Sequence, residues 1–226
     1  MKHITSLFII LLTTTIIASE NPNNYTIKLF TEHNDLITQI PFVAHMRVEY
    51  FKGYPYLYDG NVNEEIHCLS QHYASHPNSA LAIVYHDKAP VGFLCGTDLI
   101  NYSALFENSI TDLFQQAELN PKNYYYVTDI IITPEHRGKH LPQKLFEILE
   151  AYAHTKGYKS SCFITRFHAE EHPLKPYKYR SLVSLWNRLG YTQSSLLGYM
   201  NWQTHQIDGG VKQEQHPLIF WLKDLK

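Results

Sequence analysis

Between Tyr124 and Tyr158 the chain reads YYYVTDIIITPEHRGKHLPQKLFEILEAYAHTKGY, and this stretch constrains the fold more than any other. A β-branched apolar run, Val127 to Ile132, has the composition of a buried strand and ends at Pro134. A short basic loop follows (His136, Arg137, Gly138, Lys139, His140). It leads into a segment whose Leu145, Phe146, Leu149, Tyr152 and Ala153 fall on one helical stripe. Pro142 suits the first turn of that helix because its φ is already helical, while Leu141, preceding a proline, is pushed away from helical geometry. The spacing therefore predicts a helix from Pro142. A strand, loop and helix in this order make an anion site. The orphan N–H groups of the first turn point out of the helix end, the macrodipole adds partial positive charge, and Arg137 and Lys139 add full charges beside it. A phosphate or pyrophosphate is the group such a site would hold.

The flanks supply the rest of a fold. Tyr25 to Phe30 alternates as a strand, and Asp35 to Phe51 carries a helical apolar pattern with a break expected near Pro41. Asn63 to Ser75 reads as a second helix. Ala80 to Tyr85 and Val91 to Thr97, joined by His86-Asp87-Lys88-Ala89-Pro90, read as a hairpin. Ser103 to Ala117 is helical. Ser160 to Phe167 is a strand, Ser181 to Leu189 a helix stopped by Gly190, and Ser194 to Trp202 and Pro217 to Leu222 are closing strands. Helices on a mixed sheet define an α/β class. At 226 residues and 44% hydrophobic content the chain can bury one core, and no Gly/Ser-rich or Pro-rich linker divides it. One domain over residues 20–226 is expected.

The central motif and the order of elements around it resemble the GNAT superfamily of N-acetyltransferases. The likeness rests on the hydrophobic strand, on Pro134, Glu135, Arg137 and Gly138 at the loop, on the helix after it, and on Leu185-Trp186-Asn187-Arg188-Leu189-Gly190-Tyr191 in the last helix. It covers most of the chain, most strongly from about Tyr124 to Tyr191. The resemblance implies a mixed, mostly antiparallel central sheet flanked by helices and transfer of an acetyl group from acetyl-CoA to an amine acceptor. It also implies a cofactor site at Ile131, Ile132, Arg137, Gly138, Lys139, His140 and Leu141, in which the backbone N–H of Ile132 polarises the thioester carbonyl. Two positions depart from the pattern: His140 and Pro142 stand where the family has its glycines, on the pyrophosphate cradle itself.

Amine acetylation needs a base for the amine and a proton for the departing thiolate. Asp129 is the only carboxylate inside the apolar central strand, and many family members carry Glu close to this place, so it is the candidate base; a buried structural Asp is the competing reading. Alternation puts it on the face of Ile131 and opposite Ile130 and Ile132. The family's usual acid, a Tyr of the last helix, is replaced by Trp186, whose indole N–H is no proton donor at neutral pH. The role passes to Tyr177, Tyr179 or Tyr191, with Tyr179 the best placed. A protein that keeps the fold but has lost cofactor use, a binding module, is the rival reading.

A formal charge of −2 without basic runs leaves no footprint for nucleic acid. Lys2 and His3, the apolar run Ile4 to Ile17 and the small pair Ala18-Ser19 read as a signal peptide over residues 1–19. The run is too short for a comfortable transmembrane helix. A secreted or periplasmic protein without stable membrane association is expected, a location at odds with cytosolic acetyl-CoA. Cys95 and Cys162 lie in apolar strand-like runs and read as buried thiols. His168, Glu170, Glu171 and His172 do not form the His-Glu-x-x-His zinc signature, and no metal is expected.

Overall fold

A computed structural model describes residues 24–167 and 173–226. The segment expected to be a signal peptide, and the His168 to His172 group, lie outside them. Strands β1 (Tyr25–Phe30), β2 (Ala80–His86), β3 (Ala89–Asp98), β4 (Tyr124–Ile132), β5 (Ser160–Arg166), β6 (Thr192–His205) and β7 (Val211–Asp224) form one sheet in the order β1-β2-β3-β4-β5-β7-β6. Only β4 and β5 run parallel; every other neighbouring pair is antiparallel. The mixed, mostly antiparallel sheet is as expected.

Helices cover both faces. On one, α5 (Leu141–Thr155) and α6 (Val183–Arg188) pack Leu145, Phe146, Leu149, Trp186 and Leu189 against Val127, Ile132, Phe163 and Trp221. On the other, α1 (His33–Phe51) and α2 (Val62–Leu69) pack against β2, β3 and Ile131. Beside them α3 (Leu99–Tyr102) and α4 (Ile110–Gln116), inserted between β3 and β4, cover Tyr124, Tyr126, Cys162 and Phe220. Cys95 and Cys162 are fully buried thiols.

Several boundaries differ from the sequence reading, each for a local reason. Helix α1 runs through Pro41 without a break. Pro41 and the carbonyl-bearing Ile37 one turn before it are on the exposed side of the helix, where water can take the freed acceptor. Helix α5 starts at Leu141 rather than Pro142, because Leu141 is wholly buried under the sheet and is drawn into the first turn. The expected helix over Ser103 to Ala117 is broken into a 3-10 turn at Ser103–Leu105 and α4. The closing strands are much longer than expected, meeting at a turn in which Gly209 has φ +83°. Apart from the buried Thr204 and His216, their outer halves are mostly solvated and lack the apolar alternation that would have revealed them.

Two irregularities of β4 shape the cleft beside it. Cys95 pairs with Asp129 but Gly96 pairs with Val127, so Thr128 is an extra residue without a partner on β3. Such a bulge inverts the facing of everything beyond it. Val127 packs toward α5, whereas Asp129 and Ile131 turn toward α1 and Ile130 and Ile132 toward α5. A regular strand would have put Asp129 on the α5 side. Second, β4 and β5 pair only from Tyr124/Ser160 to Tyr126/Cys162, although both strands continue beyond those residues. They splay apart.

Candidate active site

The splay leaves backbone groups of β4 without a strand to bond. Thr133 N–H donates to Val91 O (3.0 Å), which makes Val91 and Thr133 a hydrogen-bonded pair of the antiparallel ladder. Alternation then makes Gly92/Ile132 and Leu94/Ile130 non-hydrogen-bonded pairs, so the N–H and C=O of Ile130 and Ile132 point away from β3 into the cleft. Ile131 differs. Its backbone is spent on β3, and its buried side chain packs among the residues of α1 and α2. The structure thus brings Ile132 to the cleft wall and leaves Ile131 behind it.

The loop at the mouth of the cleft is held in place by its own cations. Arg137 Nε donates to Ile132 O (3.0 Å), tying the loop to the last carbonyl of β4. Lys139 Nζ donates to the Tyr25 hydroxyl (2.8 Å) and stands 5.3 Å from the centre of that ring. The same hydroxyl lies 2.6 Å from His136 Nδ1. Gly138 and His140 both have left-handed backbones, with φ of +75° and +58°. His140 therefore takes the conformation that a glycine adopts at no cost. It is the N-cap of α5 but offers no side-chain cap, so the helix end keeps its orphan donors apart from the one Pro142 lacks.

Across β4, on the α1 side, Asp129 belongs to a buried charge network. Arg47 Nη1 donates to Asp129 Oδ1, and Arg47 Nε donates to Glu65 Oε2 at 2.7 Å. The Tyr58 hydroxyl donates to Glu65 Oε1. The side chains of Arg47, Glu65 and Asp129 are only 17%, 7% and 4% exposed. Burial pushes the Asp129 carboxyl above the ordinary carboxylate range despite the opposing pull of Arg47. For Arg47 burial acts the other way, but Asp129 and Glu65 outweigh it and keep the guanidinium charged.

The candidate acids separate clearly. Trp186 is buried between Phe163 (ring centres 4.8 Å apart) and Phe146 (6.2 Å), a core residue with no route to a thiolate. Tyr191 is buried too, its hydroxyl within 2.9 Å of Glu150 Oε1 and 2.8 Å of Ser161 Oγ. Tyr177 stands fully in solvent. Tyr179 is half-buried, edge-on to Tyr54 at 4.7 Å. A residue the sequence reading did not single out joins this group. Tyr56 sits on the loop between α1 and α2, and its carbonyl accepts from Trp202 Nε1 (3.1 Å) while Arg166 Nη1 holds the neighbouring Pro55 carbonyl. Burial, with the charges of Asp129 and Tyr179, pushes the Tyr56 phenol up to about 12. The repeated tyrosines of Gly53 to Gly60 were the available signal.

His216, beside this wall, gives the chain an acid sensitivity. It stacks on Trp202 with ring centres 3.7 Å apart, and its Nε2 lies 2.8 Å from Thr204 Oγ1. Burial, reinforced by Arg166, lowers it to about 4. The unfolded chain takes up this proton first, near pH 6.5, so stability falls as pH drops from there toward 4, by at most about 3 kcal/mol. Urea midpoints across that window should fall, and His216→Gln should flatten the slope. An unchanged slope in the variant would refute the assignment.

This geometry can be set beside known proteins. The chain belongs to the acetyltransferase (GNAT) family, whose model matches residues 43–174, well over half of it. No curated protein matches the sequence significantly. Among solved structures it is similar to an N-acetyltransferase from Staphylococcus aureus Mu50, at 14% identity and a TM-score of 0.53, over 90% of this chain and 99% of that one. It is likewise similar to yncA of Salmonella typhimurium, described as an acetyltransferase with its cofactor acetyl-CoA, at 15% identity and a TM-score of 0.52, over 90% and 95%. A ribosomal-protein-alanine N-acetyltransferase from Brucella melitensis shares 10% identity and a TM-score of 0.52, over 84% and 96%. At these identities the likeness is one of fold.

Proposed function

We propose that the protein transfers an acetyl group from acetyl-CoA to the amine of an acceptor. The observation that carries this reading is the splay of β4 from β5, with the backbone groups of Ile130 and Ile132 turned into it between the Arg137 to Leu141 loop and Asp129. The loop and the start of α5 would hold the pyrophosphate through backbone N–H groups and the charge of Arg137, Lys139 being tied to Tyr25. The N–H of Ile132 would donate to the thioester oxygen as charge develops on it. The acceptor nitrogen attacks the carbonyl carbon and gives up a proton toward Asp129. The carbon–sulfur bond breaks, and the thiolate takes a proton from Tyr179, from Tyr56 or from water. Acetyl transfer of this kind, to a small amine or to a protein amine, fits the family as a whole.

The rival, a binding module without catalysis, is favoured by one observation: Trp186 seals the place of the family's acid inside the core. Export through residues 1–19 is part of the proposal and is tested by the N-terminal residue of protein from its natural source. A dominant species beginning at Met1 in the cytosol would sink it.

Calorimetry with CoA and acetyl-CoA decides between enzyme and module. We expect binding by the wild type, weakened by roughly 1.5 to 3 kcal/mol in the Arg137→Ala, Lys139→Ala double variant, since one charge-assisted contact is lost directly and the loop is loosened. No heat and no thermal shift at millimolar CoA would leave the module as the better reading.

A further inference from the structure

An arginine facing a carboxylate commonly gives it two parallel hydrogen bonds, one to each oxygen. Arg47 does not do so with either of its acids. Its Nε goes to Glu65 Oε2 and its Nη1 to Asp129 Oδ1, so one guanidinium is divided between two carboxylates carried on α2 and β4. The second oxygen of Glu65 is taken by the Tyr58 hydroxyl. The second oxygen of Asp129, Oδ2, is buried and has no hydrogen-bond partner among the described residues. Three of the four carboxylate oxygens in a closed network are occupied. The fourth belongs to the residue beside the acyl cleft.

A buried carboxylate oxygen left without a donor costs free energy, and native structures keep such groups where function uses them. Thr128, the bulge residue, stands near enough to favour the charged carboxylate, yet its own buried hydroxyl has no partner at hydrogen-bond geometry. The remaining ionisable groups that face Asp129 are Cys95 on β3, Cys68 on α2, and Tyr56, Tyr102 and Tyr126. Burial raises all five, so each keeps its proton at neutral pH. Besides burial, one positive charge, Arg47, and one negative charge, Glu65, thus decide the state of Asp129 at neutral pH.

We propose that Glu65 and Arg47 are positioning residues for proton transfer at Asp129: by holding Arg47 Nε, Glu65 keeps the guanidinium from closing over both oxygens, and Oδ2 stays open to a proton arriving from the acceptor amine. The proton comes directly or through one water, and leaves again when the product departs, so the network returns unchanged. Without Glu65, Arg47 is free to pair with both oxygens of Asp129. The carboxylate would then be fixed in its charged form and shut to the acceptor. This inference rests on the acetyl transfer proposed above, with Asp129 as its base.

Glu65→Leu removes the acceptor and fills its space. The carboxyl ¹³C resonance of Asp129, identified by its loss in Asp129→Asn, should titrate at lower pH in the Leu variant than in the wild type, because a like charge is lost and a second donor gained. Turnover per folded molecule should fall on the order of 10²-fold, with the acid limb of the pH profile displaced downward and CoA affinity retained. Glu65→Gln keeps an oxygen for Arg47 Nε while losing the charge. It should recover turnover to within about tenfold of wild type while still lowering the carboxyl titration. If Glu65 only supports the fold, the Leu variant melts earlier but turns over normally per folded molecule, and its Asp129 titration falls no further than in Glu65→Gln, where the charge alone is lost; either result overturns the inference. Should the Leu variant fail to fold, the Gln variant decides by its turnover, a loss of much more than tenfold per folded molecule overturning the inference. Failure of the acetyl transfer reading appears elsewhere, as wild type that binds no CoA, and the carboxyl titration does not depend on it.

Discussion

Asp129→Asn should lower turnover by roughly 10² to 10⁴ and leave CoA affinity nearly unchanged, the usual weight of a general base removed without disturbing the cofactor. The amide keeps the shape of the side chain and an oxygen for Arg47 Nη1, the donor to Asp129 Oδ1. It loses basicity and the negative charge. Because burial raises the wild-type carboxyl above the ordinary carboxylate range, the acid limb of the wild-type rate should lie at higher pH than an ordinary carboxylate would give. The Asn variant should lack that limb. Turnover, CoA affinity and melting temperature measured on one preparation separate the roles. A stable Asn variant with full activity would remove Asp129 from the mechanism and turn attention to Tyr56 and to water held by the cleft-facing carbonyl of Ile130.

How much the chain reveals before folding depends on the range of the interactions involved. The strand at Val127 to Ile132, the loop and the amphipathic stripe of α5 are local patterns, and each is found where its period puts it. The facing of Asp129 is not local. It turns on a bulge at Thr128, and nothing in YYYVTDIII marks one residue as extra; the bulge exists because of how β4 meets β3. Nor could the partner of Asp129 be read from its neighbours, since Arg47 is 82 positions away. A weaker signal was present in α1. Leu36, Ile40, Val43 and Ala44 are its buried stripe, and Arg47 falls on the continuation of that stripe, where an unpaired cation would be costly. Glu65 sits between Val62 and Leu69 on α2 in the same manner. A cation on one apolar stripe and an acid on the next announce a buried pair, although not which strand supplies the second acid. The likeness of Trp186 to a family Tyr was similarly silent on burial, which depends on Phe146 and Phe163 arriving from α5 and β5.

Removing Arg47 should be more damaging to the fold than removing either acid. Arg47→Met keeps much of the apolar stem but leaves Asp129 and Glu65 close together, buried and without a counter-charge. Breaking a buried ion pair by deleting one partner typically costs about 3 to 5 kcal/mol. Asp129→Asn and Glu65→Gln each leave a cation facing one remaining acid and should cost distinctly less. The pH dependence has a sign that ordinary destabilisation would not produce. In the Met variant the Asp129 carboxyl, already raised by burial, loses the guanidinium that opposed the rise, so its folded state holds a proton over a wider range than its unfolded state. Where the folded chain binds more protons, stability falls as pH rises and returns as pH is lowered toward the unfolded carboxylate value of about 4. Urea denaturation at pH 5 and pH 8 tests this directly. The Met variant should lose much of its deficit to wild type at pH 5. A deficit under about 1 kcal/mol at pH 8, the weight of an exposed ion pair, would mean that water screens Arg47 from its acids and that the network is not closed.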